Sequence, residues 1–476
     1  MDDNAADPAS YPSYDSIETD RAHQNSSPFS KNTDKHQEGG DYVEYVDYVD
    51  EGTDALQTFL HLVKGYIGPG CLALPWAFSI LGIGWGITAV LVVGALTSYN
   101  ALVLVHLKNS ECSSHRASYS DIGEAGYGLG FRSFVDVSVI SIQLAVCTVF
   151  LTLVGENVSA VMLQYFEPVD GSLFYSLVSR RGVMTFVALP SALGLSAIPN
   201  LTILATTTAI ATALLFLTFA IMGVIIALNW DVEANHVDHE WSEVILAVAA
   251  IMYSWEGDQL ILPVETAMAN PGRFLYVFLG AMTTVAVVFT LFATACSVSF
   301  GDVDNGSVTA FLMHHADAYA GAGLVYAANF AASLSILLTY PLQLFPATVL
   351  MGQIVARRRA RRTPPDKDVP PDGGVARPYS GLEGDSFPLR ACLVLATYAL
   401  AISIPHVQEM ISLAGAVSGA ATSLIIPPLL QIRFAEMRAI RILSFALLVI
   451  GILFGIFGTY SSVEEIIENN AAGRSS

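Results

Sequence analysis

HLVKGYIGPGCLALP, residues 61–75, places three glycines and a proline within six positions of an apolar stretch long enough to cross a bilayer. A helix in lipid must satisfy its own backbone amides, so an interruption at membrane depth is tolerated only where protein or a wet cavity surrounds it. A second apolar stretch, YSWEGDQLILPVE at residues 253–265, is interrupted in the same way by a glycine, a proline and three acids. Broken helices at corresponding places in two halves of a chain mark a substrate site near the bilayer midplane. Together the two stretches predict an all-α integral membrane protein that moves a solute.

The composition agrees. Of 476 residues 53% are hydrophobic and 13% charged, a balance that excludes an ordinary soluble domain. The formal charge is −20, but residues 1–54 hold 14 Asp/Glu against 3 Lys/Arg and so supply −11 of it. This segment has no apolar core and begins with acids, so it reads as a disordered cytosolic tail rather than a secretory signal. Its DYVEYVDYVDEG run (residues 41–52) reads as a solvated low-complexity stretch. The basic residues flank apolar spans, where topology accounts for them, so no nucleic-acid partner is expected. Cys71, Cys112, Cys147, Cys296 and Cys392 show no metal-ligand spacing and no disulfide framework. The sequence has no phosphate-cradling glycine loop, GxSxG elbow or HExxH pair, and His115 with Asp121 is a weak basis for an acyltransferase. Neither an enzyme, a metal nor a cofactor is expected.

With about 20 apolar residues per crossing, about eleven transmembrane helices are predicted, at 55–80, 83–106, 133–164, 183–198, 201–228, 243–268, 274–299, 322–355, 389–405, 408–432 and 441–462. Pro199-Asn200 and Pro405 divide spans four from five and nine from ten. An N-terminus in the cytosol puts fifteen Lys/Arg in inward loops, the Arg357–Arg362 cluster among them, and leaves Arg180 and Arg181 facing out. The transporter domain then covers 55–462, with a cytosolic linker at 356–388 and a short outside or lumenal tail at 463–476. Asn305 heads a glycosylation acceptor on an outward loop, whereas Asn157 and Asn200 lie within or against the membrane. Tyr379 opens a short sorting-like pattern in the linker. Plasma membrane and vacuolar or lysosomal membrane both suit such a chain.

The first span has roughly 16 Å of helix before Gly65 at 1.5 Å per residue, which puts the break near mid-bilayer. Pro69 suits the first turn of a restarting helix. Amides near Gly68, Gly70 and Cys71 then face a pocket fit for a carboxylate, and the carbonyls ending the first half-helix suit an ammonium. An amino acid carries both groups. In the second break, Glu256 and Asp258 flank Gly257; burying an Asp at mid-membrane costs about 2.5–3.5 kcal/mol, which makes a functional role the default. Glu265, nearer the cytosolic end, reads as solvated. His61 and Lys64 share one helix face, where His61 is placed to carry a proton and Lys64 to neutralise an acid. Glu156, after a long uncharged run in the third span, is a further candidate proton partner.

FLHLVKGYIGPGCLALPWAFSILGIGWG (59–86), YSDIGEAGYG (119–128) and YSWEGDQLILPVETAM (253–268) resemble the amino acid/auxin permease family, nearest its proton-coupled amino acid transporter branch. The resemblance covers residues 55–462. It implies a LeuT-like fold in which spans one to five and six to ten form inverted repeats, with the eleventh added. It implies substrate binding at Gly65, Tyr66, Ile67, Gly68, Gly70 and Cys71 of span one and at Tyr253, Ser254, Glu256 and Gly257 of span six. Proton coupling falls to His61, with Glu256, Asp258 and Glu156 beside it. The branch commonly has Asn and Thr where this chain has Tyr66 and Pro69, so the pocket is narrower and lacks one amide. The expected function is proton-coupled symport of an amino acid by alternating access, with sodium the weaker choice of ion. The alternatives are an amino acid sensor signalling through its N-terminal tail and, third, a passive channel.

Overall fold

The computed structural model describes residues 52–475 apart from 113, 115, 116, 167, 168, 170, 199, 200, 231–240, 320, 361–386 and 405. Outside it lie the acidic tail up to residue 51, His115, the Pro199-Asn200 turn, the acids between 231 and 240, the linker with Tyr379, and Pro405.

The described residues are helical almost throughout, with one isolated parallel bridge between Thr53 and Met268. Asp54 starts α1 (Ala55–Tyr66): its carboxylate accepts the Gln57 amide at 2.7 Å, while the Gln57 side chain accepts the Asp54 amide at 3.2 Å. This reciprocal cap fixes where the first half-helix begins. The chain restarts as a 3₁₀ turn, Pro69–Ala73, and runs into α2 (Leu74–Glu111). Gly82 hinges α2 with φ 71°, a region glycine enters without strain. A Cβ added to Gly86 would stand 2.8 Å from the Phe78 ring. On a straight helix eight residues span about 12 Å, so the chain doubles back at Gly82. This is the division expected between spans one and two.

After α3 (Tyr119–Tyr127) comes the long α4 (Leu129–Phe166). Two short helices, α5 (Leu173–Val178) and α6 (Arg180–Val183), lead into the predicted fourth span, which is a π segment Met184–Ala188 and α7 (Leu189–Ser196). Then come α8 (Leu201–Leu228) and the two halves of the second broken span, α9 (Trp241–Ser254) and α10 (Asp258–Ala267). They are followed by α11 (Phe274–Phe300), α12 (Val308–His314), α13 (Ala322–Ala360) and α14 (Phe387–Ser403). The predicted tenth span is α15 (Val407–Ala414), a π stretch Gly415–Ile425 and α16 (Ile426–Phe434), and α17 (Arg438–Ser475) closes the chain.

Among the described residues, eight helical stretches are long and apolar enough to cross a membrane, and α14 is a shorter apolar helix. The number differs from the eleven expected for physical reasons. Pro69–Glu111 counts once although it folds back at Gly82, α1 is a half-helix, and the fourth span is divided into short pieces. At the chain end α17 runs through the residues expected as a tail. Their glutamates, isoleucines and alanines favour helix, and Asn469 donates to Glu409 at 2.6 Å. The expected linker is also helical at both edges, to Ala360 and from Phe387.

Helix α4 forms the centre, 78% of its most apolar stretch being buried against α13, α14, α15, α3 and α12, whereas only 17% of the corresponding stretch of α17 is covered. Several polar residues of α4, among them Gln143, Thr148, Thr152 and Asn157, are buried, as expected of polar groups kept away from lipid. Where the tenth span meets α9 the backbones touch: a Cβ on Gly415 would stand 2.0 Å from the Ala249 carbonyl oxygen. Gly415→Ala is therefore expected to cost about 1–3 kcal/mol through overpacking. Thermal unfolding of the detergent-purified protein checks this, with Gly84→Ala as the control, since nothing lies within 4 Å of a Cβ there.

Candidate substrate site

The two interruptions meet, each glycine making room for the other's tyrosine. A Cβ on Gly70 would stand 2.9 Å from the Tyr253 ring, and one on Gly257 would stand 2.8 Å from the Tyr66 ring. The Ser254 hydroxyl lies 3.0 Å from both the Gly70 and the Ala250 carbonyl oxygens and donates between them. Tyr66 donates to Asp258 Oδ1 at 3.2 Å, the bond that ties the end of α1 to the start of α10. The Tyr66 ring meets Trp255 edge-on at 6.1 Å, and Trp255 lies against Gly94 of α2, where a Cβ would stand 2.4 Å from its ring.

The local chain explains each opening. α1 ends with the Ile67 amide on the Val63 carbonyl. Gly68 and Cys71 then close tight turns onto the Tyr66 and Gly68 carbonyls, and the Cys71 thiol also donates to Gly68 at 2.7 Å. Two amides expected to face a ligand thus already have acceptors in this closed arrangement. In the second break Glu256 closes a turn on Tyr253, and Gly257, with φ −166° and ψ 3°, lets α10 restart at Asp258.

Glu256 Oε1 accepts from Gln259 at 2.6 Å and from Thr422 at 3.2 Å, while its Oε2 has no hydrogen-bond partner among the described residues. Asp258, 1% exposed, likewise has an unpartnered Oδ2. Ser423 lies beside both carboxylates. The tenth span thereby enters the site through its π stretch, a form of helix that recurs at functional positions. Its backbone is braced from outside: Tyr119 of α3 donates to the Thr422 carbonyl at 2.6 Å, and Asn100 of α2 donates to the Ser423 carbonyl at 2.7 Å.

Of the residues singled out in the sequence, Tyr66, Ile67, Gly70, Cys71, Tyr253, Ser254, Gly257 and Asp258 are buried around the paired breaks, and Glu256 and Gly68 are partly so. Gly65 meets Leu260 of α10, 2.7 Å from an added Cβ. His61 is exposed, off the buried face of α1 made by Thr58, Leu62, Val63 and Tyr66, and Lys64 forms no ion pair among the described residues. Glu156 is separate from the carboxylate pair: it holds Arg180 Nε at 3.1 Å, and Arg180 also donates to the Ile404 carbonyl at 2.8 Å. Asn305 is partly exposed and accepts the Ser307 amide at 2.8 Å; Asn157 is fully buried and accepts from Ser307 and Thr309.

Glu265 departs from expectation. It is 1% exposed and ion-paired with Lys108, and it also accepts from Asn109 at 3.1 Å. At that depth a carboxylate persists because a cation 157 positions earlier in the chain reaches it. Sequence reasoning also missed Gln259, Thr422, Ser423, Asn100 and the structural role of Tyr119. The small-polar run GAVSGAATS at 415–423 is the one signal that pointed to the tenth span.

A multi-pass helical protein with a buried polar site where two interrupted helices meet is a membrane transporter. The chain belongs to the transmembrane amino acid transporter family: the family model described as Transmembrane amino acid transporter protein matches residues 51–464. It is similar to amino acid transporter AVT3B of Arabidopsis thaliana, 26% identical over 87% of this chain and 94% of that one. It is also similar to amino acid transporter AVT3C of the same plant, 27% identical over 86% and 90%. The probable amino acid transporter skat-1 of Caenorhabditis elegans is 23% identical over 86% and 89%. A solved manganese transporter of Eremococcus coleocola covers 87% of this chain and 86% of its own at 11% identity and a TM-score of 0.39, too loose a likeness to argue from.

Proposed function

We propose that this protein is a proton-driven symporter of amino acids that works by alternating access, with the substrate held between the interruptions at Gly65–Cys71 and Tyr253–Gly257. The observation that carries the reading is the convergence of the two breaks on a carboxylate pair with unpartnered oxygens. The substrate's carboxylate goes to the turn at Gly68–Cys71, where the restarting helix presents its positive end, and its ammonium goes to Glu256 and Asp258. Breaking the Tyr66–Asp258 and Ser254–Gly70 contacts opens room for the ligand. The LeuT-like arrangement of ten helices in two inverted repeats plus an eleventh fits this role. The orientation we favour has the N-terminus and the 356–388 linker in the cytosol and Asn305 outside or in the lumen of an acidic organelle.

The test is uptake of labelled amino acids into proteoliposomes under an inward proton gradient, a sodium gradient or none. Accumulation with the proton gradient alone is expected; no uptake under any gradient would end the proposal. His61, one turn before the break and off the buried face of α1, is expected to contribute to proton coupling. His61→Ala should flatten the dependence of uptake on external pH. An unaltered profile would return His61 to a packing role.

A further inference from the structure

Two carboxylates at the second break are more negative charge than one amino acid's ammonium neutralises. Asp258 is buried, Glu256 partly so, and they interact through space beside Ser423. Among the described residues neither has an ion-pair partner: the cations Lys108, Arg132, Arg180 and Arg357 are engaged with Glu265, Asp121, Glu124, Glu156 and Asp136. Among the described residues the titratable groups that face the pair are Tyr66, which donates to Asp258, Tyr119, which lies behind Thr422, and Tyr253, three residues before Glu256. None is a cation. Among the described residues each carboxylate keeps one oxygen without a hydrogen bond, and Glu256 Oε2 packs against Gly419, where an added Cβ would stand 3.2 Å from it. Removing a carboxylate from water without a counter-charge costs several kcal/mol, so positive charge must enter with the ligand.

Resting on the reading of the breaks as an amino acid site, we propose that Glu256 and Asp258 form a subsite for a second cation: the proton that accompanies a neutral amino acid, or the side-chain ammonium or guanidinium of a dibasic one. Lysine at neutral pH carries its extra positive charge covalently and fills the subsite itself. A neutral amino acid leaves one carboxylate to be protonated. Either substrate then crosses with one net positive charge, and only the neutral one moves a proton.

The experiment uses the full chain in proteoliposomes holding a trapped pH indicator, with labelled lysine and labelled alanine as probes. Under a negative-inside potassium diffusion potential at equal pH, both are expected to accumulate, alanine with acidification of the lumen and lysine without it. With the potential clamped at zero, an inward proton gradient is expected to concentrate alanine while lysine only equilibrates. Asp258→Asn is expected to lower the lysine-to-alanine ratio of initial rates at least tenfold, and Asp258→Glu to restore part of it. Alanine transport without lysine transport, or lysine transport that acidifies the lumen, would overturn the subsite and leave the transporter reading standing. An unchanged ratio in Asp258→Asn would also remove the subsite. Failure of both amino acids under every gradient would remove the underlying reading and the inference with it.

Discussion

Glu256→Gln is expected to lower amino acid transport about 30- to 150-fold while leaving the quantity of folded protein in the membrane unchanged. The size follows from the loss of one charge in a desolvated site, about 2–3 kcal/mol for a charged hydrogen-bonding partner, at 1.4 kcal/mol per tenfold. Folding is spared because the amide oxygen of glutamine still accepts from Gln259 and Thr422, which now bond Oε1. The new amide nitrogen takes the place of Oε2, which has no donor to lose. A neutral amide at this depth is also easier to desolvate than a carboxylate. Initial rates in proteoliposomes, normalised to reconstituted protein, check the first half, and size-exclusion behaviour in detergent checks the second. Rates within threefold of the unaltered protein would remove Glu256 from the mechanism.

The two breaks were legible in the sequence because their causes are local. Glycine and proline state where a helix cannot continue, and Asp54 with Gln57 states where α1 begins. Gly82 stands in the gap between the first two predicted spans for the same reason, since a positive φ is a property of one residue. Side-chain partnership was much less legible. Glu265 was read by depth alone as solvated, but its state depends on Lys108, on a different helix. Tyr119 belongs to a stretch that carries a family resemblance, and nothing near it in the chain shows that its hydroxyl holds the Thr422 carbonyl 303 positions away. Tyr66 illustrates both cases. Its bulk at the break suggested a narrowed pocket, while its bond to Asp258 required knowing that α1 and α10 meet.

Lys108→Met is expected to destabilise the protein by about 3–5 kcal/mol, and Lys108→Met/Glu265→Leu to recover most of that loss. Both side chains are almost fully buried. Removing only the cation leaves Glu265 in a site of low dielectric with Asn109 as its remaining donor, and a stranded buried charge is far more costly than a well-packed apolar pair. The interaction energy of the double-mutant cycle is therefore expected to be large. The same end of α10 is held a second way, by Thr53, whose amide donates to the Ala267 carbonyl at 2.8 Å and whose carbonyl accepts the Ala269 amide at 3.0 Å. The two clamps differ in kind. The ion pair is sealed between α2 and α10, whereas the backbone bridge is formed by a partly exposed segment ahead of α1. If α1 swings during transport, the bridge is the contact that yields and the ion pair moves as part of a rigid body. Thermal unfolding of the two variants in detergent tests the ion pair: the single substitution should lower Tm sharply, the double only slightly. A single substitution costing less than about 1 kcal/mol would mean that water reaches Glu265 and that the pair is not sealed.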